Sequence, residues 1–357
     1  MTEYVSNTLA STASQKIFIS EKPVKYTSRV FYKIFAEGEF EYVFTYGDSI
    51  DGTFADGSES YANLACGDWR ILSISVAVTE NETAESMDSA ERIRLTFEGE
   101  FSKEVSPCEV FSTDPVLLKL TGDQYICIET EFEGRRFPHH PEVQIPVYVK
   151  EDKSFERSVV SPLPNKIACK RAVEKKVLFW GDSITQGIGV PENSYLHYAA
   201  LTAEIIGRSH SYYNIGIGYG RARDAASLGS WAERARGHDV ASVCFGVNDV
   251  KLNESADEIK GYLKTILEFL HQCGTKVLVQ TVPPFNYSEE YIGVWNEVNS
   301  YIRDELSKEA DAFLDAAKLL WQSESEPHVA KYGGHPTEGG TRIWAEALAP
   351  VLEKLLK

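Results

Sequence analysis

The sequence predicts an α/β protein in two parts: a β-sandwich of jelly-roll type, then a three-layer α/β/α domain built on a parallel sheet. Three observations predict it. At 357 residues the chain is longer than one hydrophobic core usually serves. Its apolar residues alternate with period two from about residue 31 to 149, then give way to short apolar runs separated by helical patterns. Between the two regimes lies a polar, proline-punctuated stretch, residues 161–171 (SPLPNKIACKR). We expect one domain over residues 1–165 and a second over 166–357.

Taken in order, residues 1–16 (MTEYVSNTLASTASQK) hold no basic region leading into an apolar stretch. No later window approaches the roughly 18 consecutive apolar residues of a membrane span. The expected setting is the cytoplasm, with no membrane partner. In WRILSISVAV the alternation places Leu72, Ile74, Val76 and Val78 on one face, and in RIRLTFE it groups Ile93, Leu95 and Phe97. FEYVFTY, DQYICIETEF and VQIPVYV read as further strands, and DGTFADGSES as a turn-rich connection. Many short strands without intervening helical patterns imply the sandwich. Beyond residue 171, strands are expected at residues 176–180, 211–215, 240–245, 276–281 and 312–314. Helical patterns lie between them, clearest over residues 256–273, with apolar positions at Ile259, Tyr262, Leu263, Ile266, Leu267 and Leu270. Strands alternating with helices build a parallel sheet covered on both faces, and ligands of such sheets sit at the carboxyl ends of the strands.

Composition narrows the function classes. Lys and Arg number 36 against 53 Asp and Glu, a formal charge of −17. A chain so acidic repels nucleic acid and anionic membranes, so a neutral, small or cationic partner is expected. Cys66, Cys108, Cys127, Cys169, Cys244 and Cys273 are scattered with no C-x-x-C pair, as reduced apolar residues rather than a metal or disulfide framework. No metal and no cofactor are expected. His139, His140, His197, His210, His238, His271 and His328 lack metal-ligand spacing, and His139-His140 reads as an exposed loop.

The strand ends carry the chemistry. The run KVLFW leads into Gly181-Asp182-Ser183-Ile184-Thr185-Gln186-Gly187, which sets a serine at a tight strand-to-helix turn with its own N–H near a helix start. The second strand ends in Asn214-Ile215-Gly216-Ile217-Gly218-Tyr219-Gly220, where glycines let backbone N–H groups approach a ligand. Its spacing is not that of a dinucleotide fingerprint, because Arg221 occupies the third glycine position. The third strand ends in Gly246-Val247-Asn248-Asp249, and Gly333-Gly334-His335-Pro336 precedes the final helical pattern. Together these offer a nucleophile, N–H donors for an oxyanion and a base. Asp182 reads as a support at the helix start and Asp249 as a support of its loop.

GDSITQG, then N-x-G-x-G, GVND and a late G-G-H-P, in that order along residues 176–357, resemble the GDSL or SGNH hydrolases. The resemblance implies a flavodoxin-like catalytic domain and ester hydrolysis through an acyl-enzyme. Ser183 would be the nucleophile, Gly218 or Gly220 with Asn248 the oxyanion hole, and His335 the general base. A β-sandwich ahead of such a domain is similar to carbohydrate esterase family two, which implies an O-acetylated sugar or oligosaccharide as substrate. A broad short-chain esterase or lipase, and a carbohydrate-binding protein with a degenerate hydrolase domain, are the alternatives.

The chain departs from the family pattern in two places. The family's triad aspartate lies three residues before the histidine, where this chain has Tyr332. Asp315, Glu326 and Glu338 are other carboxylates, but a Ser–His dyad oriented by a backbone carbonyl is the expectation. The usual glycine donor position is Tyr219, flanked by Gly218 and Gly220, and the choice among these N–H groups stays open. Gly47-Asp48-Ser49-Ile50 repeats the nucleophile tetrapeptide without the later blocks, so Ser49 reads as a turn residue.

Overall fold

Residues 2–12, 15–54 and 59–357 are described by the computed structural model, which groups into two units. One comprises residues 1–50 and 63–173; the other comprises residues 51–62 and 174–357. Part of the expected connection DGTFADGSES, residues 55–58, lies outside the described residues.

The N-terminal unit is built almost entirely of antiparallel strands in two sheets. One sheet runs Glu3–Ser6, Lys166–Arg171, Gly38–Gly47, Val116–Leu120, with Val110–Ser112 also on Gly38–Gly47. The other runs Glu156–Arg157, Val147–Lys150, Lys16–Lys33, Tyr125–His139, Trp69–Thr79, Ile93–Arg94, with Lys103–Glu104 also on Trp69–Thr79. Alternation explains the buried faces: Val116, Leu118 and Leu120 are buried while Leu117 is 61% exposed. The sheets share a core, where Trp69 of one meets Phe111 of the other with ring centroids 6.2 Å apart.

Several local expectations change. The longest strand, Lys16–Lys33, precedes the region where the alternation is visible, because charged residues and Pro23 interrupt its pattern. Its ladder with Tyr125–His139 passes from Ile19–Arg136 to Val24–Gly134 across a bulge, so the N–H that Pro23 lacks is not needed there. Leu72 does not join the buried face. Trp69 and Ile71 are buried, then Ile74 and Val76, because Leu72 is the extra residue of a bulge opposite Glu131 and Phe132 that shifts the phase. Ile93 is 38% exposed, whereas Leu95 and Phe97 are buried beside a short turn closed by Phe97 and Glu100. His139 and His140 are buried rather than on an exposed loop, and burial lowers the His139 imidazole to about 4. Residues 166–171, read from sequence as part of the connection, form a strand whose Ile167, Ala168 and Cys169 are buried. Ser49 lies at the start of the strand Ser49–Phe54, not in a turn.

In the C-terminal unit five parallel strands, Lys176–Gly181, Ser211–Asn214, Val240–Cys244, Lys276–Gln280 and Ala312–Leu314, stand in the spatial order second, first, third, fourth, fifth. This order reverses direction beside the first strand, where open α/β sheets bind their ligands. Both faces are covered. Phe179 points to the helix Tyr198–Ile206, whose Tyr198 stacks on Trp344 of the helix Glu338–Leu356. Trp180, the next residue and so on the opposite face, meets Trp231, Phe245 and Phe269 of the helix Ala256–Gln272. That helix starts with a capping box from Ser255 and Glu258 and buries Ile259, Leu263, Ile266, Leu267 and Leu270. Among the described residues no helix is long and apolar enough to cross a membrane, and all six cysteines are free.

Candidate active site

The first strand delivers Ser183 to a single helical turn, Ser183–Gln186. Asp182 caps this turn, accepting from the Ile184 N–H at 3.0 Å, and Gly187 ends it at φ 114°, a left-handed backbone that glycine adopts without steric cost. Ser183 itself makes no backbone N–H hydrogen bond among the described residues, so that donor at the helix start remains available. Its Oγ lies 2.8 Å from Nε2 of His335, on the loop before Glu338–Leu356. Two residues 152 positions apart are thus brought into hydrogen-bond contact.

The second-strand loop is built onto the nucleophile turn. Asn214 donates to Thr185 O at 2.8 Å and accepts from the Gly216 N–H at 2.9 Å. A Cβ on Gly216 would stand 2.4 Å from the Gln186 nitrogen, so only glycine lets the two backbones approach this closely. The Gly220 N–H closes a tight turn onto Ile217 O at 3.0 Å. That occupies the donor, so Gly220 does not serve as expected, whereas the Tyr219 N–H makes no backbone hydrogen bond among the described residues. Tyr219 has φ 59° and its ring meets Phe54, centroids 5.3 Å apart. Asn248 donates through Nδ2 to Gly220 O at 3.0 Å, which anchors its side chain to the same loop and leaves the second amide hydrogen for a ligand.

Beneath these groups lie two enclosed carboxylates. Asp249 accepts from the Ala222 and Arg223 N–H groups at 2.9 and 3.1 Å, which ties the helix after the glycine loop to the Asn248 turn. Burial pushes Asp182 and Asp249 each up to about 7, with Asp249 adding repulsion to Asp182 and Asp224 to Asp249.

None of the carboxylates considered from sequence reaches His335. Asp315 is held by Arg303 at 2.8 and 3.0 Å and by Thr281 at 2.9 Å, and it caps the turn Ala316–Leu320. Glu326 and Glu338 are exposed. Tyr332, at the position of the family aspartate, accepts from the Thr337 N–H and lies against Gly340. The expected backbone carbonyl is absent too. Among the described residues the only hydrogen bond of the His335 ring is to Ser183, and its aromatic neighbour is Phe285, edge to face at 5.2 Å. The Lys251 ammonium lies over the Phe285 ring, 4.6 Å from its centroid. Burial first, and the Lys251 charge second, lower the His335 imidazole below its ordinary value, which keeps the ring neutral and able to accept a proton.

Sequence reasoning missed Phe285, Lys251 and Gly189. Phe285 follows the fourth strand, so the strand-end rule extended to residues 282–287 reaches it. Gly189 has φ 110°, and a Cβ there would meet Pro336 O at 2.9 Å and His335 Cβ at 3.0 Å, so it makes room for the histidine loop.

Residues 179–343 match the model of the GDSL-like lipase/acylhydrolase family. Solved structures similar to this chain include a member of the lipolytic protein G-D-S-L family from Veillonella parvula DSM 2008. It is 18% identical, with 50% of this chain and 98% of that one covered and a TM-score of 0.41. A GDSL-like lipase from Bacteroides thetaiotaomicron VPI-5482 is 19% identical, covering 51% and 89%, at a TM-score of 0.39. A mutant of an acetyl-xylooligosaccharide esterase from Geobacillus Stearmophilus is 20% identical, covering 51% and 95%, at 0.37. No curated protein matched the sequence.

Proposed function

We propose that this protein hydrolyses carboxylic esters through an acyl-enzyme on Ser183, with His335 as general base. The observation that carries this reading is the 2.8 Å hydrogen bond between Ser183 Oγ and His335 Nε2 at the carboxyl end of the first strand. For the hydroxyl to donate, the imidazole must hold its own proton on Nδ1 and accept on Nε2. Attack on the ester carbonyl then transfers the hydroxyl proton to Nε2, and the new C–O bond leaves negative charge on the former carbonyl oxygen. The Ser183 N–H, the second amide hydrogen of Asn248 and the Tyr219 N–H are the donors offered to that oxygen. Collapse expels the alcohol, which takes the proton from His335. Water, deprotonated by the same nitrogen, releases the acid and restores the serine.

We place acetyl or another short acyl group on a carbohydrate first among the substrates. The support is the order of domains, strand-rich unit before acylhydrolase domain, which resembles carbohydrate esterase family two with its jelly-roll domain. Ser183→Ala is expected to lower p-nitrophenyl acetate turnover by roughly 10³-fold or more, and Ser49→Ala to leave it near wild type. Wild-type turnover in Ser183→Ala contradicts the assignment. Comparing an acetylated sugar with butyrate and octanoate esters separates sugar preference from general short-chain esterase activity.

A further inference from the structure

Residues 51–54 precede the first catalytic motif by more than a hundred positions, yet they group with the catalytic unit. Their side chains converge on the loop that presents the oxyanion donors. The Asp51 carboxylate, fully buried, accepts from the Trp231 N–H at 3.0 Å and from the Ser230 hydroxyl. Trp231 passes this anchorage on: its indole N–H donates to Ile215 O at 2.8 Å, and its ring lies so close under Gly220 that a Cβ there would meet it at 2.7 Å. Thr53, also fully buried, accepts from Arg221 Nε at 2.8 Å and donates to Asp224 Oδ1 at 3.1 Å, while Asp224 accepts from the Arg221 N–H at 2.9 Å. Phe54 meets Tyr219, centroids 5.3 Å apart.

The loop needs such support. Tyr219 sits at φ 59°, a left-handed backbone that is unfavourable for a residue with a Cβ unless its surroundings hold it. Asn214 and Asp249 fix the two ends of residues 214–223. Between those ends, Phe54 meets Tyr219 and Thr53 accepts from Arg221, which also donates to Glu254 at 3.0 Å, while Asp51 holds Trp231 under Gly220.

We infer that Asp51, Thr53 and Phe54 are positioning residues for the oxyanion hole, a part of the catalytic apparatus supplied from far upstream in the chain. They touch no reacting atom; they fix the aim of the Tyr219 N–H and of Asn248, which is bonded to Gly220. The inference rests on the reading of Ser183 as nucleophile and of this loop as oxyanion donor. Donors acting on charge that develops only in the transition state affect kcat, and a small error in their aim is felt there first.

The test compares Thr53→Val, which keeps the shape and removes the hydroxyl, with Thr53→Ser, which keeps the hydroxyl. Phe54→Leu is the second variant, should Thr53→Val not fold. The full chain is assayed on p-nitrophenyl acetate, with fluorophosphonate labelling of Ser183 and circular dichroism alongside. We expect Thr53→Val and Phe54→Leu to lower kcat about tenfold with KM within about twofold, to slow labelling in parallel, and to keep the wild-type spectrum. Thr53→Ser should restore kcat. Unchanged kcat in folded Thr53→Val and Phe54→Leu overturns the inference alone, as does a loss that Thr53→Ser fails to restore or that tracks the unfolded fraction. A wild-type chain that neither turns over ester nor labels overturns the reading of the site, and the inference with it.

Discussion

At the scale of single residues the site is a serine and a histidine with no carboxylate bonded to the imidazole among the described residues. A carboxylate beside the imidazole raises its basicity and stabilises the imidazolium; here burial and Lys251 act in the opposite direction. His335 therefore stays neutral to lower pH than an ordinary histidine, and the acid limb of kcat/KM falls below that of a free imidazole. Lys251→Met removes the positive charge, and we expect that limb to move to higher pH; a profile unmoved by the substitution contradicts the role given to Lys251. Ser183 and Asn248 were legible as candidates because each lies in a short motif at a strand end, and His335 because its motif precedes the final helix. Phe285 and Lys251 were not, because their proximity to His335 comes from three different loops meeting above the sheet, which no spacing along the chain encodes.

At the scale of elements, the site depends on two backbones lying against each other. The nucleophile turn and the second-strand loop touch at Gly216, where a methyl group would overlap the Gln186 nitrogen at 2.4 Å. Gly216→Ala should therefore cost about 1–3 kcal/mol of stability, measured by denaturant unfolding; an unchanged midpoint contradicts the close approach. Below the same turn, Asp182 has its protonation raised to about 7 by burial and by Asp249. A carboxylate raised above its unfolded value near 4 contributes stability below that value and loses it as pH rises through about 7. Asp182→Asn, which keeps an acceptor for the Ile184 N–H, is expected to flatten the fall of Tm between about pH 4 and 7, and an unaltered slope sinks this account. The five parallel strands were readable because each is a short, mainly apolar run between helical patterns. The strand Lys16–Lys33 was not, because its alternation is broken by lysines, glutamate and a proline that only the bulge at Gly134–Arg136 accommodates.

At the scale of the whole molecule, two units were expected from length and from the change of period, and the structure groups the chain into two. What the sequence did not reveal is that the grouping is not contiguous. Residues 51–60 read as a turn-rich connection inside the strand-rich half, yet residues 51–54 bury Asp51 and Thr53 against Arg221, Asp224 and Trp231 of the C-terminal unit. Their pattern carries no periodic signal, because their burial is set by contacts made more than 160 residues away in sequence. The charge of −17 fits a site whose oxyanion is met by local N–H donors and whose proposed substrate needs no cationic surface. The central claim is that Ser183, activated by His335, forms a covalent acyl-enzyme. The most direct measurement is intact-mass analysis of the full chain after reaction with a fluorophosphonate. One adduct per chain located on Ser183, absent in Ser183→Ala and strongly slowed in His335→Ala, is the predicted result. No adduct on the wild-type chain, or an adduct that persists in Ser183→Ala, contradicts it.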